Sequence, residues 1–103
     1  MSYHQVTSEV AAGIELLDGM WPRWECEIDL DRLRLSDGER CVLGQLYGEY
    51  TDALRELGFD DDDAINYGFD IPGPPWDSID MRYDFLTEQW RAVIADRRAR
   101  RKC

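Results

Sequence analysis

Residues 36–58 read SDGERCVLGQLYGEYTDALRELG and predict the helix on which the fold depends. Ser36 and Glu39 have the spacing of a capping box, in which two side chains satisfy the first free N–H groups of a helix. From Cys41 onward the apolar residues fall on one arc of a helical wheel. Gly58 followed by Phe59 fits a Schellman cap at the C-terminal end. We therefore expect one long central helix over residues 36–57.

Two further amphipathic helices are predicted on either side of this segment. The first covers residues 7–19, with Thr7 or Ser8 as its N-cap. Its apolar side consists of Val10, Gly13, Ile14, Leu17 and Met20. The last helix begins between Asp77 and Met81, capped by Asp77, Ser78 or Asp80, and ends in a run of arginines that suits a helix C-terminus. Its apolar stripe consists of Ile79, Tyr83, Leu86, Trp90, Val93 and Ile94.

Residues 21–35 are ambiguous. The apolar residues from Trp24 to Leu30 alternate with acidic ones, which is a strand pattern, yet Pro22 also suits the first turn of a short helix. We favour a short helix or turn, and expect a compact all-α domain of three to four helices. The alternative is an α+β fold, in which residues 24–30 pair with the second alternating stretch, residues 65–71, as a small two-stranded ribbon.

The composition restricts the possible functions. A chain of 103 residues with four Trp, five Tyr and three Phe predicts one folded domain. Residues 1–96 hold all 22 acidic residues and seven of the twelve basic ones, a net charge of −15, whereas residues 97–103 carry +5. We divide the chain accordingly into an acidic domain, 1–96, and a basic tail, 97–103. The overall charge of −10 disfavours direct binding of nucleic acid by the whole domain.

The cysteines and the single histidine indicate a reduced, cytoplasmic protein without a metal or cofactor. Cys26, Cys41 and Cys103 are odd in number and not closely paired, which does not suggest a disulfide framework. His4 is the only histidine, so zinc spacing and a histidine base for a Ser or Cys nucleophile are both absent. The sequence also shows no secretory signal, no apolar run long enough for a membrane span and no phosphate-binding loop. We expect no enzymatic activity.

The block Cys41-Val42-Leu43-Gly44-Gln45-Leu46-Tyr47-Gly48 resembles a group of small uncharacterised proteins from actinobacteria and their bacteriophages. Looser shared elements extend the resemblance over about residues 14–98, among them Tyr67-Gly68-Phe69 and Trp90-Arg91. The resemblance implies an actinobacterial or phage setting and a compact domain, but no activity. The four-aspartate run and the basic end of this chain depart from the group.

Three surfaces are candidate partner-binding sites. Cys41, Gly44 and Gly48 form a strip of small residues off the apolar arc, which is either a groove for a partner or a place where this chain packs on itself. Asp60, Asp61, Asp62 and Asp63 are either a partner-binding cluster or a solvated loop, and they lack the glycine of an EF-hand. Met81 and Phe85 lie opposite the apolar stripe of the last helix, and are either an exposed patch or covered by residues 72–76.

These features favour a small acidic protein-binding module, such as a phage-encoded modulator of a host protein. One alternative is a nucleic-acid mimic that occupies a DNA- or RNA-binding site of a host protein. Others are a virion or structural component, and a nucleic-acid binder that acts through the arginines of residues 97–101. The sequence does not predict the oligomeric state or the identity of the host protein.

Overall fold

The computed structural model describes residues 7–71 and 79–100, and every regular element in these ranges is helical. Five α-helices occur there, and in chain order they span Ser8–Met20 (α1), Val42–Tyr47 (α2), Tyr50–Leu57 (α3), Asp61–Asn66 (α4) and Ile79–Arg100 (α5). A 3₁₀ turn spans Trp24–Cys26. The expected all-α class is confirmed, and neither residues 24–30 nor residues 65–71 form the alternative ribbon.

Helix α1 begins as the sequence predicts. The Thr7 hydroxyl accepts a hydrogen bond from the backbone N–H of Val10 at 3.2 Å and so caps the helix. The residues Val10, Gly13, Ile14 and Leu17 are buried. The sequence predicts Met20 on the same side, but Met20 is the last residue of the helix and its side chain is 49% exposed.

The prediction of one helix over residues 36–57 is wrong. Residues 36–40 form turns, and the N-cap of α2 is Cys41, whose sulfur accepts the backbone N–H of Gly44 at 3.2 Å. Helix α2 ends at Tyr47, and Gly48 then has a φ of +99°, which an L-residue rarely adopts. The predicted C-terminal end is correct, since Gly58 is left-handed and Phe59 N–H donates to the Leu54 carbonyl.

Tertiary packing explains the interruption between α2 and α3. The turn at Gly38 and Glu39 lies against Gly44, where an added Cβ would sit 2.9 Å from the Glu39 Cα and closer still to the Gly38 carbonyl oxygen. That carbonyl accepts the backbone N–H of Tyr50 at the start of α3. Gly44 therefore permits the close approach of the turn, and Gly48 permits the sharp change of direction between α2 and α3. Either glycine would weaken an uninterrupted helix.

Side chains of α5 hold the segment 28–35, which is irregular although it alternates in polarity. Arg98 donates to the Ile28 carbonyl at 2.9 Å, Arg91 donates to the Leu30 carbonyl at 2.6 Å, and Thr87 accepts the Leu35 N–H at 2.9 Å. Because these bonds satisfy backbone groups, the segment needs no partner strand.

Trp90 lies at the centre of the core. It is fully buried, its ring stacks on Phe69 with centroids 5.4 Å apart, and it meets Trp24 edge-on at 5.8 Å. Its indole N–H donates to the Gly68 carbonyl at 2.7 Å. A Cβ on Gly13 would overlap the Tyr67 carbonyl oxygen and lie 3.1 Å from the Trp90 ring, so α1 can approach both only because it carries glycine there.

The division between residues 96 and 97 does not separate two structural units. Helix α5 continues without interruption to Arg100. The Arg97 side chain pairs with Asp18 at 2.5 Å and lies 3.6 Å from the buried carboxylate of Glu25, and it also stacks over the Trp24 ring. Arg97 and Arg98 are thus part of the packed domain, because Arg97 pairs with Asp18 and Glu25 and Arg98 donates to the Ile28 carbonyl.

The expectation of three reduced cysteines is wrong for Cys26, which is disulfide-bonded. Cys41 is free and buried, and burial raises the pKa of its thiol to about 11. An odd number of cysteines shows only that at least one thiol is left over, and it does not exclude a single bond.

Several expectations fall on residues outside the described ranges. They concern His4, the loop 72–76, the N-cap of the last helix, and residues 101–103 with Cys103. Within the described ranges no helix is both long and apolar enough to cross a membrane.

The contact between Gly44 and the turn at residues 38–39 provides a test of the fold. Gly44→Ala is expected to lower the free energy of unfolding by about 1–3 kcal/mol, because the added methyl group overlaps backbone atoms that cannot move independently. Gly19→Ala is the matched control, since Gly19 is in α1 with nothing within 4 Å of an added Cβ. Urea denaturation is the measurement. A Gly44→Ala protein as stable as the Gly19→Ala protein would contradict the packing.

Candidate functional site

A concave apolar surface lies beside the first half of α5. This apolar groove has a volume of about 580 Å³. It runs between α5, the start of α1 and the end of the segment that follows α4. The lining residues are Thr7, Glu9, Ile65, Gly68, Asp70, Ile71, Met81, Arg82, Phe85, Leu86 and Gln89. Its volume is within the range of about 300–1,000 Å³ that is common for ligand pockets.

Met81 and Phe85 form the exposed rim of the apolar groove. Their side chains are 73% and 62% exposed, and they lie one helical turn apart on α5. The face of the helix that carries Trp90 is buried in the core. The sequence singled out these two residues correctly as lying off the apolar stripe, and the structure places a concave apolar surface next to them.

Asp70 fixes one wall of the apolar groove. Its carboxylate accepts the hydroxyl of Tyr83 at 2.6 Å, the hydroxyl of Tyr50 at 3.3 Å and the backbone N–H of Ile71 at 2.8 Å. These bonds join α3, α5 and the segment after α4. Burial, together with the hydrogen bond to and the charge of Asp70, raises the pKa of both tyrosines above the usual value near 10.

The wall opposite α5 depends on close backbone contact. Gly68 has a φ of +75°, and an added Cβ there would lie 2.8 Å from the Val10 Cα. The Thr7 N–H donates to the Gln89 side chain at 2.9 Å, which fastens the start of α1 to α5. The walls are therefore held by packing and hydrogen bonds before any ligand arrives.

The strip of small residues on Cys41, Gly44 and Gly48 is not an open groove. Cys41 is 2% exposed, and Gly44 is covered by the turn at residues 38–39. Only Gly48 is exposed, and its place is set by its positive φ. The chain packs on itself here, through the turn at residues 38–39.

The acidic run is the start of α4 rather than a loop. Asp60 is the N-cap, its carboxylate accepts the Asp63 N–H at 2.9 Å, and the Asp63 carboxylate accepts the Asp60 N–H at 3.1 Å. This arrangement is a capping box with aspartate in both positions. Asp61 and Asp62 are exposed in the first turn, where their charge also suits the helix dipole.

Sequence reasoning missed most of the lining of the apolar groove, including Asp70 and Ile71. In the sequence, Ile65 and Ile71 show only the alternation of residues 65–71. No local pattern indicates a role for Asp70, because the tyrosines that donate to its carboxylate are 13 and 20 residues away. Within residues 7–71 and 79–100, no group of three or more His, Cys, Asp or Glu side chains could hold a metal ion.

Comparison of the chain with protein-family models, with curated proteins and with solved structures gave no match.

The bonds to Asp70 make stability depend on alkaline pH. Unfolded tyrosines ionise near pH 10, whereas the folded Tyr50 and Tyr83 remain neutral above it, so the free energy of unfolding falls as the pH rises above 10. Tyr50→Phe/Tyr83→Phe is expected to show a shallower fall. The Cys41 thiol changes stability in the same direction from about pH 9, so the comparison is made in a Cys41→Ser background. Denaturant midpoints between pH 8 and 11.5 measure the slopes, and equal slopes would contradict this role of the tyrosines.

A second comparison separates the two hydroxyls. Tyr83→Phe is expected to lower the free energy of unfolding at pH 7 by about 1–2 kcal/mol, since its hydrogen bond to the Asp70 carboxylate is short. Tyr50→Phe loses a bond of 3.3 Å and is expected to cost less. The reverse order in thermal or urea denaturation would show that the Asp70 wall is arranged differently.

Proposed function

We propose that this chain is a small acidic, non-enzymatic protein-binding module, phage-encoded and directed at a protein of its bacterial host. The apolar groove is its docking surface in this proposal. The occupant is a segment of the partner that presents apolar side chains flanked by Lys or Arg, most simply one face of an amphipathic helix.

The exposure of Met81 and Phe85 beside a concave apolar surface is the observation that carries the proposal. Large apolar side chains exposed together favour a partner, because burying them releases free energy in proportion to the area covered. Met20 is the only other large apolar side chain exposed to a similar degree in the described residues, and it stands alone at the end of α1.

Charge favours a basic partner segment. Glu9 and Asp70 line the apolar groove against a single arginine, Arg82. Residues 1–96 carry a net charge of −15, so the surrounding potential attracts cations and repels acidic peptides. Apolar contact would supply most of the affinity, and the acidic surroundings would select the partner and speed association.

The remaining parts of the proposal come from the sequence. The phage origin is supported by the resemblance of the CVLGQLYG block, and a phage-encoded modulator of a host protein would act in the bacterial cytoplasm. The disulfide at Cys26 is an observation against this location, since such bonds are rare in a reducing compartment.

The alternatives predict different behaviour in the same capture experiment. A nucleic-acid mimic would bind a nucleic-acid-binding protein and lose it at high salt. Asp60 and Asp63 are partly committed to capping α4, which leaves fewer carboxylates of the run for such mimicry. A virion or structural component would capture copies of its own chain.

Binding of a defined peptide tests the groove. The probe is a fluorescent helical peptide of Leu and Lys with leucines at positions i, i+3, i+4 and i+7, and its control replaces every Lys by Glu. The Lys peptide is expected to bind and the Glu peptide is not. Phe85→Ser should weaken binding about tenfold or more, as loss of a central aromatic anchor does.

Met20→Ser is the matched control, because it removes an exposed apolar side chain elsewhere on the surface. It is expected to leave the affinity unchanged, and both variants should remain folded by circular dichroism. Equal affinities for the Phe85→Ser and Met20→Ser proteins would remove the groove as the docking surface. Equal affinities for the Lys and Glu peptides would contradict the proposal that the partner segment is basic.

A further inference from the structure

A second concave surface lies on the other flank of α5, and its lining is polar. It has a volume of about 370 Å³ and lies between residues 31–34, Arg40 and the α5 residues from Asp84 to Arg91. Four arginines line it, namely Arg32, Arg34, Arg40 and Arg91. These residues define what we call the arginine groove.

The concentration of positive charge is unusual for this chain. Residues 1–96 contain seven basic residues, and four of them line the arginine groove. Its three acidic residues are Asp31, Asp84 and Glu88, so arginines outnumber carboxylates locally although the domain as a whole is strongly acidic.

Two of the four guanidinium groups already have partners. Arg91 donates to the carbonyls of Leu30 and Leu33, and its Nε lies 3.4 Å from the Glu88 carboxylate. Arg40 lies 3.8 Å from Asp37. The exposed side chains of Arg32 and Arg34, in contrast, make no hydrogen bond or ion pair with any residue in 7–71 or 79–100.

The backbone that carries Arg32 and Arg34 is fixed. Leu33 and Leu35 alternate with them and are 4% and 5% exposed, which turns both arginines outward. The Arg34 N–H donates to the Arg40 carbonyl at 3.1 Å, and the Leu35 N–H donates to the Thr87 hydroxyl at 2.9 Å. Two exposed, unpartnered arginine side chains therefore line the same groove from a segment whose backbone is held in place.

We propose that the arginine groove binds the phosphoryl group of a small phosphate monoester. A guanidinium group presents its N–H donors in a planar fork that matches phosphoryl oxygens, and two such groups can neutralise a dianion. A small ligand is favoured over a polyanion, because a longer polyanion would extend over the surrounding acidic surface and be repelled.

Inorganic phosphate, phosphoserine and a nucleoside monophosphate are the probes, each titrated into the full chain while the arginine Nε–Hε signals are followed by NMR. Sodium chloride at matched ionic strength is the blank. Saturable shifts of Arg32 and Arg34 with phosphate but not with chloride are expected. Equal affinities for the three probes would show that the groove recognises the phosphoryl group alone. Tighter binding of one ester would show which kind of phosphate monoester the groove prefers.

Arg32→Gln/Arg34→Gln is expected to weaken phosphate binding about tenfold or more, since both unpartnered charged donors are lost. Arg55→Gln is the matched control, because Arg55 is an exposed arginine on α3 that pairs with Asp52 at 3.0 Å and does not line the groove. Shifts that do not saturate, or that persist unchanged in the double variant, would overturn the proposal. Tighter binding of a single-stranded oligonucleotide than of any monoester would also overturn it.

Discussion

The packing of Trp90 is the interaction on which the rest of the structure depends. The ring is fully buried and lies between Phe69 and Trp24, and its N–H satisfies the Gly68 carbonyl. One side chain of α5 thus joins the 3₁₀ turn, the turn after α4 and, through Gly13, helix α1. In a domain of this size few residues can supply so much buried apolar area. The elements around the ring approach one another through glycines, since Gly13 lies against the Tyr67 carbonyl and Gly68 against Val10.

A second constraint shapes the two flanks of α5. The segment 28–35 forms no strand or helix, and its backbone is satisfied by Thr87, Arg91 and Arg98 on one side of the helix. That side consequently carries polar and charged groups and borders the arginine groove. The other flank meets the start of α1, where the Gln89 side chain accepts the Thr7 N–H, and there Met81 and Phe85 lie beside the apolar groove. The two proposed sites are thus consequences of how one helix meets different neighbours.

Local signals in the sequence predicted what local interactions determine. The Thr7 cap and the Schellman cap at Gly58 follow from spacing and residue type, and the Asp60–Asp63 capping box carries the same kind of signal. Spacing also places Phe85 off the apolar stripe of α5, but it does not decide between an exposed and a covered side chain. The prediction of a continuous helix over residues 36–57 is wrong because the apolar arc continues across the interruption and so gives no sign of it. The contact of Gly44 with residues 38–39, which accompanies the interruption, depends on tertiary structure. The walls at Asp70 and the grouping of Arg32, Arg34 and Arg91 were likewise beyond prediction, because they join residues far apart in the chain.

The proposed function depends on a binding surface on the flank of α5 away from the arginines. A backbone amide chemical-shift map of the isotope-labelled chain, recorded with the helical Lys and Leu peptide, tests it most directly. The account predicts that the largest changes cluster at Ile65, Ile71 and Phe85 and leave the Trp90 indole signal in place. Changes centred on α3 or on the arginine groove, with none at Phe85, would contradict it.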